Sequence, residues 1–167
     1  MARDNKRFSG KREKPEYDQK LLDLARVARV VKGGRRFRFR ATLVIGNRKG
    51  KVGVGVGKGA DVSDAIKKAF DDAKKNMISV NFPKNTIPHD ISYKIGSARI
   101  ILKPGLPGRG VIAGGAIRTV VDLSGIKDIV SKSLGTSNKL NVARATIGAF
   151  KSLAESRSRK TRLAKND

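Results

Sequence analysis

The sequence predicts an α+β protein built from two small domains. Three observations carry that expectation. The stretch RFRFRATLVI (residues 36–45) alternates in the manner of a strand, and DAIKKAFDDAKK (64–75) follows it with helical spacing. The segment PKNTIP (83–88), with two prolines, separates this unit from a second set of short strands and helices. Hydrophobic residues make up 38% of the 167 but aromatics only 5%, so the core has to come mostly from Val, Ile, Leu and Ala.

Taken in order, residues 1–19 read as a charged N-terminal arm without hydrophobic period. Residues 20–31 (KLLDLARVARVV) are ambiguous. Leu21, Leu24, Ala25, Ala28 and Val31 fit a helix, while Leu22, Leu24, Ala28 and Val30 fit a strand less well. The β-branched Val27, Val30 and Val31 favour strand at the end of the run. Lys32-Gly33-Gly34-Arg35 then supplies a hairpin turn. In the next strand Phe37, Phe39, Ala41, Leu43 and Ile45 share one face, and Arg36, Arg38 and Arg40 the other. The turn GNRKG (46–50) leads to KVGVGVG (51–57), completing a three-stranded antiparallel meander.

Asp61 is placed to cap a helix, with Asp64 in its first turn. Val62, Ala65, Ile66, Ala69, Phe70, Ala73 and Met77 recur at helical spacing, so this helix is expected to cover the Phe/Leu/Ile face. Asp64/Lys68 and Asp71/Lys75 are spaced as ion pairs. The first domain therefore spans 20–82 and the second 83–154. Within the second, residues 90–104 read as two strands turning near Gly96-Ser97, and 103–115 as a long Gly/Pro loop. A helix ends near Gly125, a short strand covers 128–134, and Asn141 caps a last helix. Residues 155–167 are a basic tail with no core to offer.

The glycine-rich stretch GKVGVGVGKGA (50–60) raises the question of a nucleotide site. Gly55, Gly57 and Ala60 match G-x-G-x-x-G/A, and Gly57-Lys58 echoes a P-loop. A P-loop would need glycine where Val52 stands and Ser/Thr where Gly59 stands. The dinucleotide pattern would need a parallel βαβ setting, but this strand follows an antiparallel hairpin. No cofactor is expected. The strand reading places Val52, Val54 and Val56 in the core. Gly53, Gly55 and Gly57 are then expected on the open face beside Arg36, Arg38 and Arg40, as a flat floor for a phosphate backbone.

Charge points the same way. Thirty-eight Lys+Arg against 14 Asp+Glu leave a formal net charge of +24, which calls for a polyanionic partner, most commonly nucleic acid. An anionic membrane surface is the weaker alternative, and no stretch approaches the ~20 apolar residues of a span. From Leu24 to Ala60 there is no acid, but there are eleven bases: Arg26, Arg29, Lys32, Arg35, Arg36, Arg38, Arg40, Arg48, Lys49, Lys51 and Lys58. A second acid-free span, Ile91 to Val121, carries Lys94, Arg99, Lys103, Arg109 and Arg118, and its glycine-rich loop opens into a helix N-terminus. Phe37 and Phe39 are expected on the buried face. No platform for stacking bases is therefore anticipated, and recognition should rest on shape and phosphate.

Catalysis finds little support. His89 is the one histidine, and it sits in a loop context. Asp61/Asp64 and Asp71/Asp72 are explained by capping and ion pairing, so no metal is expected. The absence of Cys excludes disulfides and Cys-based zinc sites. The N-terminus lacks an apolar signal core, and a cytoplasmic protein is expected.

Longer motifs add a resemblance. VVKGGRRFRFRATLVIG with KVGVGVGKGADVSDAIKKAFDDAKKNMI, and GRGVIAGGAIRTVVDLSGIKDIVSKSLGTSNKLNVARATIGAF further on, resemble the two domains of the bacterial small-subunit ribosomal protein number five family. The likeness covers roughly residues 20–153 and leaves out both ends. It implies a double-stranded-RNA-binding-like first domain, a second α+β domain, and a structural, non-enzymatic place in the small ribosomal subunit. It also implies ribosomal RNA contacts at Lys32, Gly33, Gly34 and Arg35, at Arg36, Arg38 and Arg40, and at the loop 107–115. That loop includes Arg109, Gly110, Gly114 and Gly115, with Arg118 following. Implied partners are small-subunit ribosomal RNA, small-subunit ribosomal proteins number four and number eight, and messenger RNA on its way into the subunit, where the family influences decoding accuracy. The alternative is a free-standing duplex RNA or DNA binder.

Overall fold

The computed structural model describes residues 16–80, 82 and 85–163, with side chains to residue 154. Most of the N-terminal arm, Pro83 and Lys84 of the PKNTIP segment, and the last four residues lie outside the described residues. Strands β1 (Asp18–Val31), β2 (Gly34–Gly46), β3 (Lys51–Gly59) and β4 (Ile78–Ser79) form one antiparallel sheet in that order. Helix α1 (Val62–Lys75) connects β3 to β4. The second sheet holds β5 (Ile91–Ile95), β6 (Ala98–Pro104), β7 (Val111–Ile112) and β8 (Ile129–Leu134), in the order β5-β6-β8-β7. β7 is parallel to β8, with helix α2 (Gly115–Ser124) as the crossover. Helix α3 (Lys139–Leu163) completes the chain. The architecture is α+β, as the sequence predicts.

The ambiguous run 20–31 is strand throughout, because it pairs with β2 along its whole length. A bulge between Leu21 and Asp23 shifts the register once. The hairpin turns on Lys32 and Gly33, since Val31 already pairs with Gly34.

The first sheet is covered on both faces over its lower half. On one face Ala65, Ala69 and Ala73 of α1 meet Ala41, Leu43 and Ile45 of β2. The other face presents Val44, Val52 and Val54 to a larger core, with Ile100 and Leu102 of β6, Ile117, Val120 and Val121 of α2, and Phe150 of α3. Phe150 is fully buried and packs edge-to-face with Phe82, ring centroids 6.0 Å apart. Double coverage explains why the alternation of RFRFR gives way to ATLVI, in which every residue is buried.

The same register corrects the expected glycine face. Gly53, Gly55 and Gly57 pair with Ile45, Leu43 and Ala41, so they lie under α1 and away from Arg36, Arg38 and Arg40. A methyl group at Gly55 would run into the carbonyl oxygen of Ala69 and the backbone of Ala73; one at Gly57 would meet the Ala65 carbonyl, and one at Gly53 the Ala73 carbonyl. The glycines let a helix backbone sit directly on the strand. They offer no floor to a phosphate chain.

Four smaller expectations are also revised. Ile78–Ser79 adds a fourth strand to the meander, pairing with Val52 and Lys51. Asp61 holds the N-cap position of α1, but it does so through its carbonyl, which accepts from Ala65 N at 3.0 Å, and not through its side chain. The last helix starts earlier than Asn141. Asn138 Oδ1 accepts from Leu140 N at 3.1 Å, and the Asn138 carbonyl accepts from Val142 N at 3.0 Å. That helix also runs on to Leu163, so most of the basic tail is helical.

Of the two ion pairs expected on α1, Asp64–Lys68 forms at 2.8 Å. Asp72 has a separate task. Its Oδ2 accepts from Val56 N at 2.9 Å, where β3 has no strand neighbour beyond the two rungs of β4. The carboxylate thus satisfies a backbone donor at the sheet edge.

Candidate nucleic-acid interface

β1 and β2 outrun the rest of their sheet. The last rung joining β2 to β3 is Phe39 with Gly59, and beyond it the two strands continue alone to the turn at Lys32-Gly33. Residues 28–38 of this hairpin are all exposed. Arg29, Lys32, Arg35, Arg36 and Arg38 lie here, with Arg26 exposed at the last shared rung opposite Phe39, and Gly33 and Gly34 are open to solvent at the turn.

Pairing sorts these bases onto two faces. Arg29 lies opposite Arg36, and Val27 opposite Arg38. Together with Val31 and Lys58 they line an open groove of about 500 Å³. The opposite face carries Arg35 across from Val30, Phe37 across from Ala28, and Arg26 across from Phe39. Phe37 does not belong to a buried face as expected. It is 47% exposed, because α1 and β3 stop short of it, and the Arg26 guanidinium carbon sits 3.7 Å from its ring centroid.

The acid-free span of the sequence is less uniform in space. The register brings Asp23 opposite Thr42 and Asp18 opposite Gly46. Asp23 approaches Arg40 at 3.9 Å and Lys139 of α3 at 3.1 Å, while Asp18 pairs with Arg48 at 2.8 Å. Arg40 is half-buried, so it belongs to the root of the hairpin and not to its exposed ridge. The single-sign field is thus confined to the projecting part. Counting registers from the turn at Lys32-Gly33 would have exposed the two aspartates.

The second turn is a joint as well as a surface. Arg48 N donates to Leu123 O and Gly50 N to Ser124 O, both at 3.0 Å, which ties the turn to the end of α2. Asn47 Oδ1 accepts from Lys49 N and Lys51 N at 2.8 and 2.9 Å. The side chains of Arg48, Lys49 and Lys51 remain exposed, yet β2 separates them from the hairpin tip by roughly 40 Å of strand. The structure does not bring the two turns together.

In the second sheet, Arg109 is exposed on a loop held by two contacts. Arg109 N donates to Leu106 O at 3.1 Å, and Gly110 N to Asp128 Oδ1 at 2.9 Å. Gly114 takes the N-cap position of α2, and both Gly114 and Gly115 face open space. Arg118 is exposed, one turn in, with Nη2 3.4 Å from the Val111 carbonyl. These glycines and β1 residues Leu21 and Leu22 border an open cleft of about 350 Å³.

Among the described residues no cluster of His, Asp or Glu could hold a metal, and no helix is long and apolar enough to cross a membrane. Tyr17 titrates above the usual phenol range, first because its hydroxyl hydrogen-bonds the Glu16 side chain.

Comparison with known proteins is decisive on family. The profile for "Ribosomal protein S5, N-terminal domain" matches residues 17–81, and that for "Ribosomal protein S5, C-terminal domain" matches residues 93–165. The chain belongs to the ribosomal protein S5 family. Among its relatives is the protein named Small ribosomal subunit protein uS5 of Campylobacter jejuni, in strains 81-176 and RM1221. Each is 54% identical over 140 residues, covering 84% of this chain and 95% of the relative. The family consists of structural proteins of the ribosome and not of enzymes, in agreement with the little support that the sequence gives to catalysis.

Proposed function

We propose that this chain is a structural constituent of the small ribosomal subunit in the bacterial cytoplasm, holding folded ribosomal RNA chiefly through the β1–β2 hairpin. The observation that carries this reading is the projecting two-stranded element, exposed on both faces, basic on both and free of acids. An element without a core of its own is marginal in water. Its stability and its charge both favour a polyanion that packs around it.

Arg109, on the loop between β6 and β7, and Arg118, in the first turns of α2, supply a second and smaller contact beside the open start of that helix. Between the two lies the shared core, so RNA segments held at both places are kept at a fixed separation. Family membership supports the further assignment of small-subunit proteins number four and number eight as neighbours. It also supports a position on the side where messenger RNA enters, with an influence on decoding accuracy.

The test is cosedimentation. The chain should travel with small subunits through a high-salt wash, and crosslinks from residues 29–38 should map to ribosomal RNA. A chain found free in the lysate that binds arbitrary duplexes equally well contradicts this reading and favours a free-standing duplex binder.

A further inference from the structure

The exposed Phe37 has no structural duty. It lies beyond the reach of α1, its cross-strand partner is the small Ala28, and it contributes to neither core cluster. An aromatic ring nearly half exposed is costly to leave in water, and this one lies within a field of arginines. Arg26, its diagonal neighbour across the strands, lies over the ring at 3.7 Å. That contact holds guanidinium and ring together as a cation–π pair.

We propose that Phe37 and Arg26 form a stacking platform for one unpaired RNA base, which extends the stack while Arg35 and Lys32 neutralise the flanking phosphates. The proposal rests on the RNA-binding role of the hairpin and adds a class of ligand to it: a bulged or looped-out nucleotide in addition to duplex backbone. Stacking on an aromatic face accepts any base, because every base has a π face. An apolar protein segment fits this surface less well. It would bury Arg26 and Arg35 where the projecting part of the hairpin offers no acid to pair with them. The opposite face of the hairpin, with Arg29, Arg36 and Arg38, lacks any aromatic and serves the phosphate backbone. The two faces thus divide the work between base and backbone.

The experiment compares the full chain on two RNA hairpins, one with a fully paired stem and one whose stem carries a single unpaired adenosine, at one salt concentration. The wild type should prefer the unpaired adenosine by roughly tenfold. Phe37→Ala should abolish that preference while keeping the affinity for the paired stem, and Phe37→Trp should restore it. The chain contains no other Trp, so the emission of that variant reads the site alone, and it should be quenched only by the bulged RNA. A wild type without preference overturns the proposal. So does a Phe37→Ala variant that keeps the preference or loses affinity for both RNAs equally. If the wild type binds neither RNA, the RNA-binding role of the hairpin itself fails, a distinct result from loss of preference alone.

Discussion

The two ends of the β1–β2 ladder are made by the same strands under opposite conditions. At the lower end Leu43 and Val44 point to opposite faces and both are buried, one under α1 and the other in the core shared with α2 and α3. At the upper end Arg36 and Phe37 point to opposite faces and both are exposed. The ladder hydrogen bonds continue through both, so the backbone does not distinguish them. What changes is coverage: β3 and α1 end near Phe39, and the sequence changes from continuous apolar to alternating basic at that point. The lower end is scaffold and the upper end is surface, and substitutions should separate them.

The largest separation is expected between glycines. Gly55→Ala drives a methyl group into the α1 backbone and should cost about 3 kcal/mol or more in a denaturant titration, because neither strand nor helix can give way alone. Gly33→Ala, with nothing within 4 Å, should stay within about 0.5 kcal/mol of wild type. Equal effects at the two positions would break the comparison. Next come the two phenylalanines. Phe39→Ala removes a ring packed on the α1 core and should cost about 2 kcal/mol, whereas Phe37→Ala should leave the melting curve nearly unchanged. The reverse order would mean that the hairpin is covered by something within the chain. Smaller again is Asp72→Ala, which strands the Val56 N–H at the sheet edge. A loss of about 1–2 kcal/mol is expected, with faster amide exchange at Val56 as the local readout.

Much of this was legible in the sequence. The period-2 pattern of residues 36–45 and the helical spacing of residues 62–77 identified β2 and α1, and paired them correctly through the Phe/Leu/Ile face. The basic hairpin was visible as a run of charge. The glycine face was misplaced because side-chain alternation gives the parity within a strand but not between strands. That parity is set by the turn. Counting back from the GNRKG turn puts Leu43 opposite Gly55 and Arg40 opposite Lys58, which sends the valines to the arginine side and the glycines to the leucine side. Phe37 was misassigned for a different reason. Alternation says which side a residue faces, but not where the covering helix ends. Likewise the valines had a core to join, but most of it came from β6, α2 and α3 of the second half of the chain, and no local pattern announces such a partner.

The most direct test of the division between scaffold and surface is the salt dependence of RNA binding by the full chain, measured for wild type and for Arg36→Glu/Arg38→Glu, with thermal unfolding recorded on the same samples. Each phosphate neutralised contributes about 0.9 to the slope of log K against log salt, so losing two contacts should reduce that slope by roughly 2 and weaken binding strongly. The melting temperature should not move, since both side chains are exposed. An unchanged slope and affinity, or a melting temperature lowered as far as by Phe39→Ala, would contradict the account.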